Sequence, residues 1–224
     1  MTYMKKIWKK ILLVWLLITL AFTSFFAIQK IYYTQTIVID PGHGGYDSGA
    51  IGYNQTTLEK DLTLQFAKQI GKEIKKINPR IKIVYTRKDD NITWPHEESA
   101  DLKARIQIAN QNHADLYLSI HMNANENQQA YGYSFHLQDN DTTSEEIAQI
   151  IEENFQTIHW SQSRGIVYTS QQPLYFMNHI DHALLLETGF ITNPEECQQL
   201  SKPYQQKKIA QAVAQAICTY YKNN

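Results

Sequence analysis

Apolar positions along the chain fall into three kinds of run. From Ile11 to Ile28 the sequence ILLVWLLITLAFTSFFAI carries no charge and is apolar all round, not along one stripe. Short runs rich in β-branched or aliphatic residues come later, at Thr36–Asp40 (TIVID), Ile81–Thr86, Leu116–Ile120 and Ala183–Leu186, and read as buried strands. Between them the spacing turns helical. Leu58, Leu62, Phe66, Ile70, Ile74 and Ile77 predict a helix of about five turns, and Asp101–Asn112, Ser144–Ile158 and Tyr204–Tyr221 predict three more. Tyr131–Leu137 alternates like an edge or antiparallel strand, and Gly165–Thr169 reads as a further strand. Strands alternating with helices predict one α/β domain, a twisted and mostly parallel sheet flanked by helices on both faces.

The charge distribution separates the first apolar run from the rest. Residues 1–35 hold Lys5, Lys6, Lys9, Lys10 and Lys30 and no acid, which leaves 16 basic against 22 acidic groups in residues 36–224. An acidic domain without clustered Lys/Arg is not built for a phosphate backbone, so no nucleic-acid partner is expected. As a helix the run Ile11–Ile28 spans roughly 27 Å, enough for a bilayer core. The pairs that a signal peptidase could use, Thr19 with Ala21 and Ala21 with Thr23, lie inside the apolar run, which favours an uncleaved signal-anchor over a cleaved signal peptide. Four lysines before the run against one after it predict a cytoplasmic N-terminus and an exported domain. The expected organisation is a cytoplasmic basic segment (1–10), a transmembrane signal-anchor (11–28), a linker (29–35) and an extracytoplasmic domain (36–224), with Tyr32 and Tyr33 at the outer interface. Cys197 and Cys218 both fall in the exported part, where pairing is open to them, but two cysteines in a domain with an ample core are not a disulfide scaffold.

In an open α/β sheet the ligand crevice lies at the carboxyl ends of the strands. His43 follows the TIVID strand in a glycine-rich turn, His121 ends LYLSIH, and Glu187 ends ALLLE. Glu59 opens the helix after the glycine loop and reaches the same edge. Two imidazoles and a carboxylate on rigid elements, with a fourth position open, match a catalytic zinc site, and the second carboxylate then serves as general base. Each residue also has a plainer reading. Glu59 lies three residues after Thr56 and completes a capping box by spacing alone; His121 reads equally as a hydrogen-bonded strand-end histidine; His43 reads as part of a structural turn. A carboxylate directly after four apolar residues is costly unless partnered, so Glu187 reads as functional on its own. His179 and His182 have ligand-like spacing but precede their strand, at the opposite edge of the sheet, and read as a surface or structural cluster. His96, His113, His136 and His159 stand singly in polar surroundings and read as solvated.

Six blocks carry a resemblance: IVIDPGHGGYDSGAIG (Ile37–Gly52), LEKDLTL (Leu58–Leu64), YTRKDD (Tyr85–Asp90), Arg105 with Ala109-Asn110, ADLYLSIHMNA (Ala114–Ala124) and LLLETGFITNPEE (Leu184–Glu196). In this order they resemble the zinc-dependent N-acetylmuramoyl-L-alanine amidases of bacterial cell walls, over nearly all of residues 36–224. The resemblance implies zinc held by His43, Glu59 and His121, a catalytic Glu187, and hydrolysis of the amide between N-acetylmuramic acid and L-alanine in peptidoglycan by a monomeric, membrane-anchored enzyme. The sequence departs from the family at His182, where Pro is common, and in a longer connection from Asn91 to Asp101. The alternatives are a catalytically silent wall-binding regulator and a zinc wall peptidase that cuts a different bond.

Overall fold

Asp40, a charged residue at the end of an apolar strand, is 2% exposed, and the sheet is arranged so that its carboxylate is never alone. The computed structural model describes residues 2–32 and 34–224, which divide into two units, one up to Thr34 and one from Gln35 onward. The first is a helix, α1 (Thr2–Tyr32), in which every side chain from Ile7 to Ser24 is exposed. That window has a mean hydropathy of 1.6 and suffices in length to cross a membrane. Tyr33 and the side chain of Tyr32, expected at an interface, lie outside the described residues.

The second unit runs β1 (Gln35–Pro41), α2 (Glu59–Ile77), β2 (Ile81–Tyr85), α3 (Glu98–Gln111), β3 (Leu116–Asn123), β4 (Tyr133–Leu137), α4 (Thr142–Thr157), β5 (Ser163–Tyr168), a 3₁₀ turn (Tyr175–His179), β6 (Ala183–Phe190), α5 (Pro194–Leu200) and α6 (Pro203–Asn223). Six strands form one sheet in the order β2-β1-β3-β6-β4-β5. All neighbours are parallel except β4 and β6, which pair antiparallel, Ser134 opposite Glu187 and His136 opposite Leu185. The α/β fold with a mostly parallel sheet is as expected. Tyr131–Leu137 differs in one respect, because β4 is antiparallel but interior, with β5 outside it. The short helix α5 has no apolar periodicity to announce it, and Pro194 at its first position and Asn193, which accepts from the amides of Glu195 and Glu196, mark its start.

Strand alternation divides the core in two. On one face Ile37, Ile39, Leu118, Leu184 and Leu186 pack with Phe66, Ile70, Ile151 and Val213 of α2, α4 and α6. On the other, Val38, Tyr117 and Leu185 pack with Ile106 and Ala109 of α3 and with Phe176 and Met177 of the 3₁₀ turn. Along this second face each strand turns polar toward its carboxyl end: Val38 gives way to Asp40, Tyr117 to Ser119 and His121, and Leu185 to Glu187. The face that is core at one end is therefore a site at the other.

Asp40 accepts hydrogen bonds from Arg105 Nη1 (2.6 Å), Thr86 Oγ1 (2.5 Å) and Ser119 Oγ (2.8 Å). Arg105, 4% exposed, also binds Asp101 and the carbonyls of Pro41 (2.9 Å) and His43 (2.7 Å). Burial alone pushes the Asp40 carboxyl upward, yet the Arg105 guanidinium and the donors around it hold it well below the usual carboxylate range. Cys197 and Cys218 are both buried free thiols.

Removing one partner of a buried ion pair leaves an uncompensated charge and costs about 3–5 kcal/mol. Asp40→Ala is expected to lower stability to urea by about that amount at pH 7. Since the folded-state pKa lies below the unfolded value of about 4, the contribution is complete well above that value and fades as pH falls through and below it. Urea titrations at pH 7 and pH 3 check this: the gap between parent and variant should narrow at pH 3 without closing, since the folded-state pKa lies lower still.

Candidate metal centre

The glycine loop after β1 is shaped by what surrounds it. Arg87, buried at 4% exposure, donates to the carbonyls of Pro41 (3.1 Å), Gly42 (3.0 Å) and Lys60 (2.8 Å), and so clamps the loop onto α2 from one side while Arg105 holds it from the other. Gly44, at φ 126°, passes so close that a Cβ there would lie 2.6 Å from Arg87 Nε. A Cβ at Gly42 would lie 2.3 Å from the ring of His121, so glycine is what lets β1 and the histidine share the space. His43 itself adopts φ 61°, a conformation costly for a non-glycine residue and held here by its surroundings.

That loop aims His43 at Glu59, whose Oε1 lies 3.1 Å from His43 Nε2 and 3.2 Å from His121 Nδ1. One ligand atom from each of the three residues falls within 4.8 Å of the others, and among the described residues this is the one such cluster. Glu59 is the first residue of α2, and the helix is capped by the backbone of Leu58 with no side-chain cap, so Thr56 and Glu59 form no capping box. The carboxylate instead accepts from the amides of Ala50 (2.8 Å, Oε2) and Met122 (2.8 Å, Oε1). His43 Nδ1 is paired with Asp47 Oδ2 at 2.7 Å, which fixes the ring and leaves Nε2 as the ligand atom.

The electrostatics call for a cation. Burial pushes the His43 imidazole down, but Glu59 and Asp47 outweigh it and raise its pKa to about 9. Glu59 is likewise opposed by burial and held well below its usual range by the two histidines. Two nitrogens and a carboxylate oxygen, fixed by neighbouring hydrogen bonds, suit a divalent metal, and that donor set is one zinc accepts.

Glu187 stands opposite His121 in the β3–β6 register, and a register shift follows immediately between His121 and Asn123. Bulges beside active sites re-aim side chains, and here one separates the last ligand from the chain beyond it. Glu187 Oε2 is sealed from solvent and has no hydrogen-bond partner among the described residues. Burial, reinforced by the charge of Glu59 and opposed by the two histidines, raises its carboxyl pKa to about 7.

His179 and His182 do not join this cluster. His182 Nδ1 pairs with Asp141 (2.8 Å) and His179 Nδ1 with the carbonyl of Tyr175 (2.8 Å), the structural role expected of them. The longer Asn91–Asp101 connection packs back on the network, with Trp94 bonded to Asp101 and lying against the Arg105 guanidinium, and His96 stacked on Tyr46. His136 corrects the sequence reading. It is 8% exposed, not solvated, because β4 is covered by strands on both sides.

Residues 37–219 match the N-acetylmuramoyl-L-alanine amidase family Amidase_3. The germination-specific N-acetylmuramoyl-L-alanine amidase of Bacillus subtilis is 29% identical over 198 residues, 83% of this chain and 79% of its own. The catalytic domain of CwlV, an N-acetylmuramoyl-L-alanine amidase from Bacillus (Paenibacillus) polymyxa var. colistinus, superposes with a TM-score of 0.74 at 30% identity, covering 85% of this chain and all of that one. The CwlD amidase of Clostridioides difficile, solved in complex with the GerS lipoprotein, gives 0.75 at 28% identity with the same coverage. With the family model matched over residues 37–219 and the catalytic domain of CwlV superposing over its whole length, the chain belongs to the N-acetylmuramoyl-L-alanine amidase family.

Proposed function

We propose that this amidase uses zinc held by His43, Glu59 and His121, with Glu187 as its general base, to hydrolyse the amide between N-acetylmuramic acid and L-alanine in peptidoglycan. The single observation that carries the assignment of roles is the difference between the two carboxylates. Glu59 has its oxygens committed to two backbone amides and two imidazoles, as a ligand requires, while Glu187 Oε2 has no partner among the described residues. A buried carboxylate oxygen without a partner is costly to keep, and a proton acceptor facing a reacting water is a reason to keep it.

When bound, zinc would polarise the scissile carbonyl and acidify the attacking water. The chain's own part is then positional. Asp47 holds the His43 ring, the amides of Ala50 and Met122 hold Glu59, and neither carboxylate has to rearrange as the reaction proceeds. Glu187 takes the proton from the attacking water on its free oxygen and returns it to the amine of L-alanine as that amine leaves, so one group acts first as base and then as acid. The wall-peptidase alternative keeps the same machinery and differs only in the bond presented to it; the N-acetylmuramoyl-L-alanine amidases similar to this chain favour the muramoyl amide.

We further infer that α1 remains attached as a signal-anchor with the catalytic unit outside the cytoplasm. Its support is the exposed apolar stretch from Ile11 to Ser24, the four lysines before it and the wall substrate itself. Full-length protein is expected in membrane fractions with residues 1–24 intact, and proteinase added to wall-stripped cells should degrade the catalytic unit; a mature N-terminus beyond residue 21, or protection of the unit, contradicts the arrangement.

Glu187→Gln is expected to keep its zinc and its affinity for muramoyl-peptide while turnover falls at least about 100-fold. Glu59→Gln should instead lose zinc, with partial recovery of activity in excess metal. Elemental analysis beside cleavage of a purified muramoyl-peptide separates the two, and a Glu187→Gln enzyme that cleaves within a few-fold of the parent overturns its role as base.

A further inference from the structure

Among the described residues five buried side-chain polar atoms lack a hydrogen-bond partner, and two of them belong to side chains on one face of the sheet: Glu187 Oε2 and His136 Nδ1. The β4–β6 register puts Ser134 opposite Glu187 and His136 opposite Leu185, so the side chains of His136 and Glu187 project from the same face as diagonal neighbours. In antiparallel pairs such neighbours lie about 7–8 Å apart at the backbone, within reach of a long or ring side chain. Both belong to the face that carries Ser119 and His121 on the adjoining β3. Glu187 is accounted for by the reaction. His136 is not.

An interior strand is a poor place for an unsatisfied imidazole. Phe or Leu would fill the position without an unpaired polar atom, as Phe135 and Leu137 do on the opposite face of the same strand. Burial pushes the ring below the ordinary imidazole range, so it is neutral at pH 7 and carries a single N–H. An unpaired N–H sealed from water is costlier than an unpaired lone pair, which favours the tautomer with the lone pair on buried Nδ1 and the hydrogen on Nε2. The result is a neutral, fixed donor one strand away from the base.

We propose that His136 is a substrate-binding residue of this amidase, donating from Nε2 to an amide carbonyl oxygen of the muramoyl-peptide beside the scissile bond. The inference rests on the reading of Glu187 as the base, since that fixes where the scissile bond lies. Offset from Glu187 by one diagonal step of the sheet, the ring is placed for the next amide along and not for the scissile carbonyl. Two parts of the substrate offer that chemistry, a backbone amide of the stem peptide and the N-acetyl group of the muramic acid. The bond orients substrate and takes no part in proton transfer.

The test is His136→Phe, with His136→Gln as the variant that retains an N–H donor. Replacing an unsatisfied buried polar ring by an apolar one of similar shape is neutral or stabilising. The Phe variant is therefore expected to hold its zinc, to unfold at the same or a higher temperature than the parent, and to lose about five- to tenfold in kcat/KM, mainly through KM, with Gln recovering part of the loss. Two substrates locate the contact: a loss on muramoyl-tripeptide but not on muramoyl-L-alanine assigns the bond to the stem peptide, and an equal loss on both assigns it to the N-acetyl group. Parent-like kcat/KM on both substrates overturns the proposal, as does a loss matched by destabilisation that Gln does not relieve. Failure of the underlying reading would show separately, as a parent that leaves both substrates uncut. Calorimetric binding of muramoyl-tripeptide to parent and Phe variant then still decides whether His136 contacts it.

Discussion

The site depends on a buried carboxylate that is not part of it. Asp40 ends β1 with its charge out of water, and the cost of burying that charge is offset by Arg105, Thr86 and Ser119 converging from α3, the end of β2 and β3. Because Arg105 also binds the carbonyls of Pro41 and His43, the same guanidinium that neutralises Asp40 fixes the path of the chain into the glycine loop. Arg87 repeats the arrangement from the α2 side. His43 is thereby carried at a strained φ by contacts on both flanks. The position of the first imidazole follows from an ion pair located behind it in the sheet.

Glu59 shows how much one carboxylate can be asked to do. It opens α2, ties the loop through Ala50, ties β3 through Met122 and stands between two histidines. Each backbone bond removes a rotational freedom that a metal would otherwise have to restrict, so the centre is organised by the fold before any ligand arrives. Glu187 is the opposite case. Its neighbours are arranged to leave it alone, and that contrast sorts two chemically identical groups into different roles.

Much of this was legible in the residues. The parallel strands announce themselves as apolar runs because both of their faces are covered, and three of the four site residues, His43, His121 and Glu187, stand out as polar groups at or just past the ends of such runs. The blocks shared with the amidases then select among open readings, as for Glu59, whose spacing from Thr56 suggested a cap that the backbone of Leu58 provides instead. What stayed hidden depended on strand order, which no local pattern encodes. His136 read as solvated because an alternating segment looks the same at the edge of a sheet as inside it, whereas β4 lies between β6 and β5 and the ring is buried. Arg87 and Asp40 stand in two of the blocks quoted above, but their long-range partners lie 24 to 79 positions away in the chain.

The two thiols bear on what holds the domain together. Cys197 packs in α5 beneath the loop at Gly52, and Cys218 lies in α6, where burial lifts its pKa to about 11. A thiol so protected is a poor nucleophile and a poor target for oxidation at neutral pH. The native state holds no sulfur-sulfur bond, so once folded the catalytic unit owes none of its stability to a crosslink that a reductant could cut.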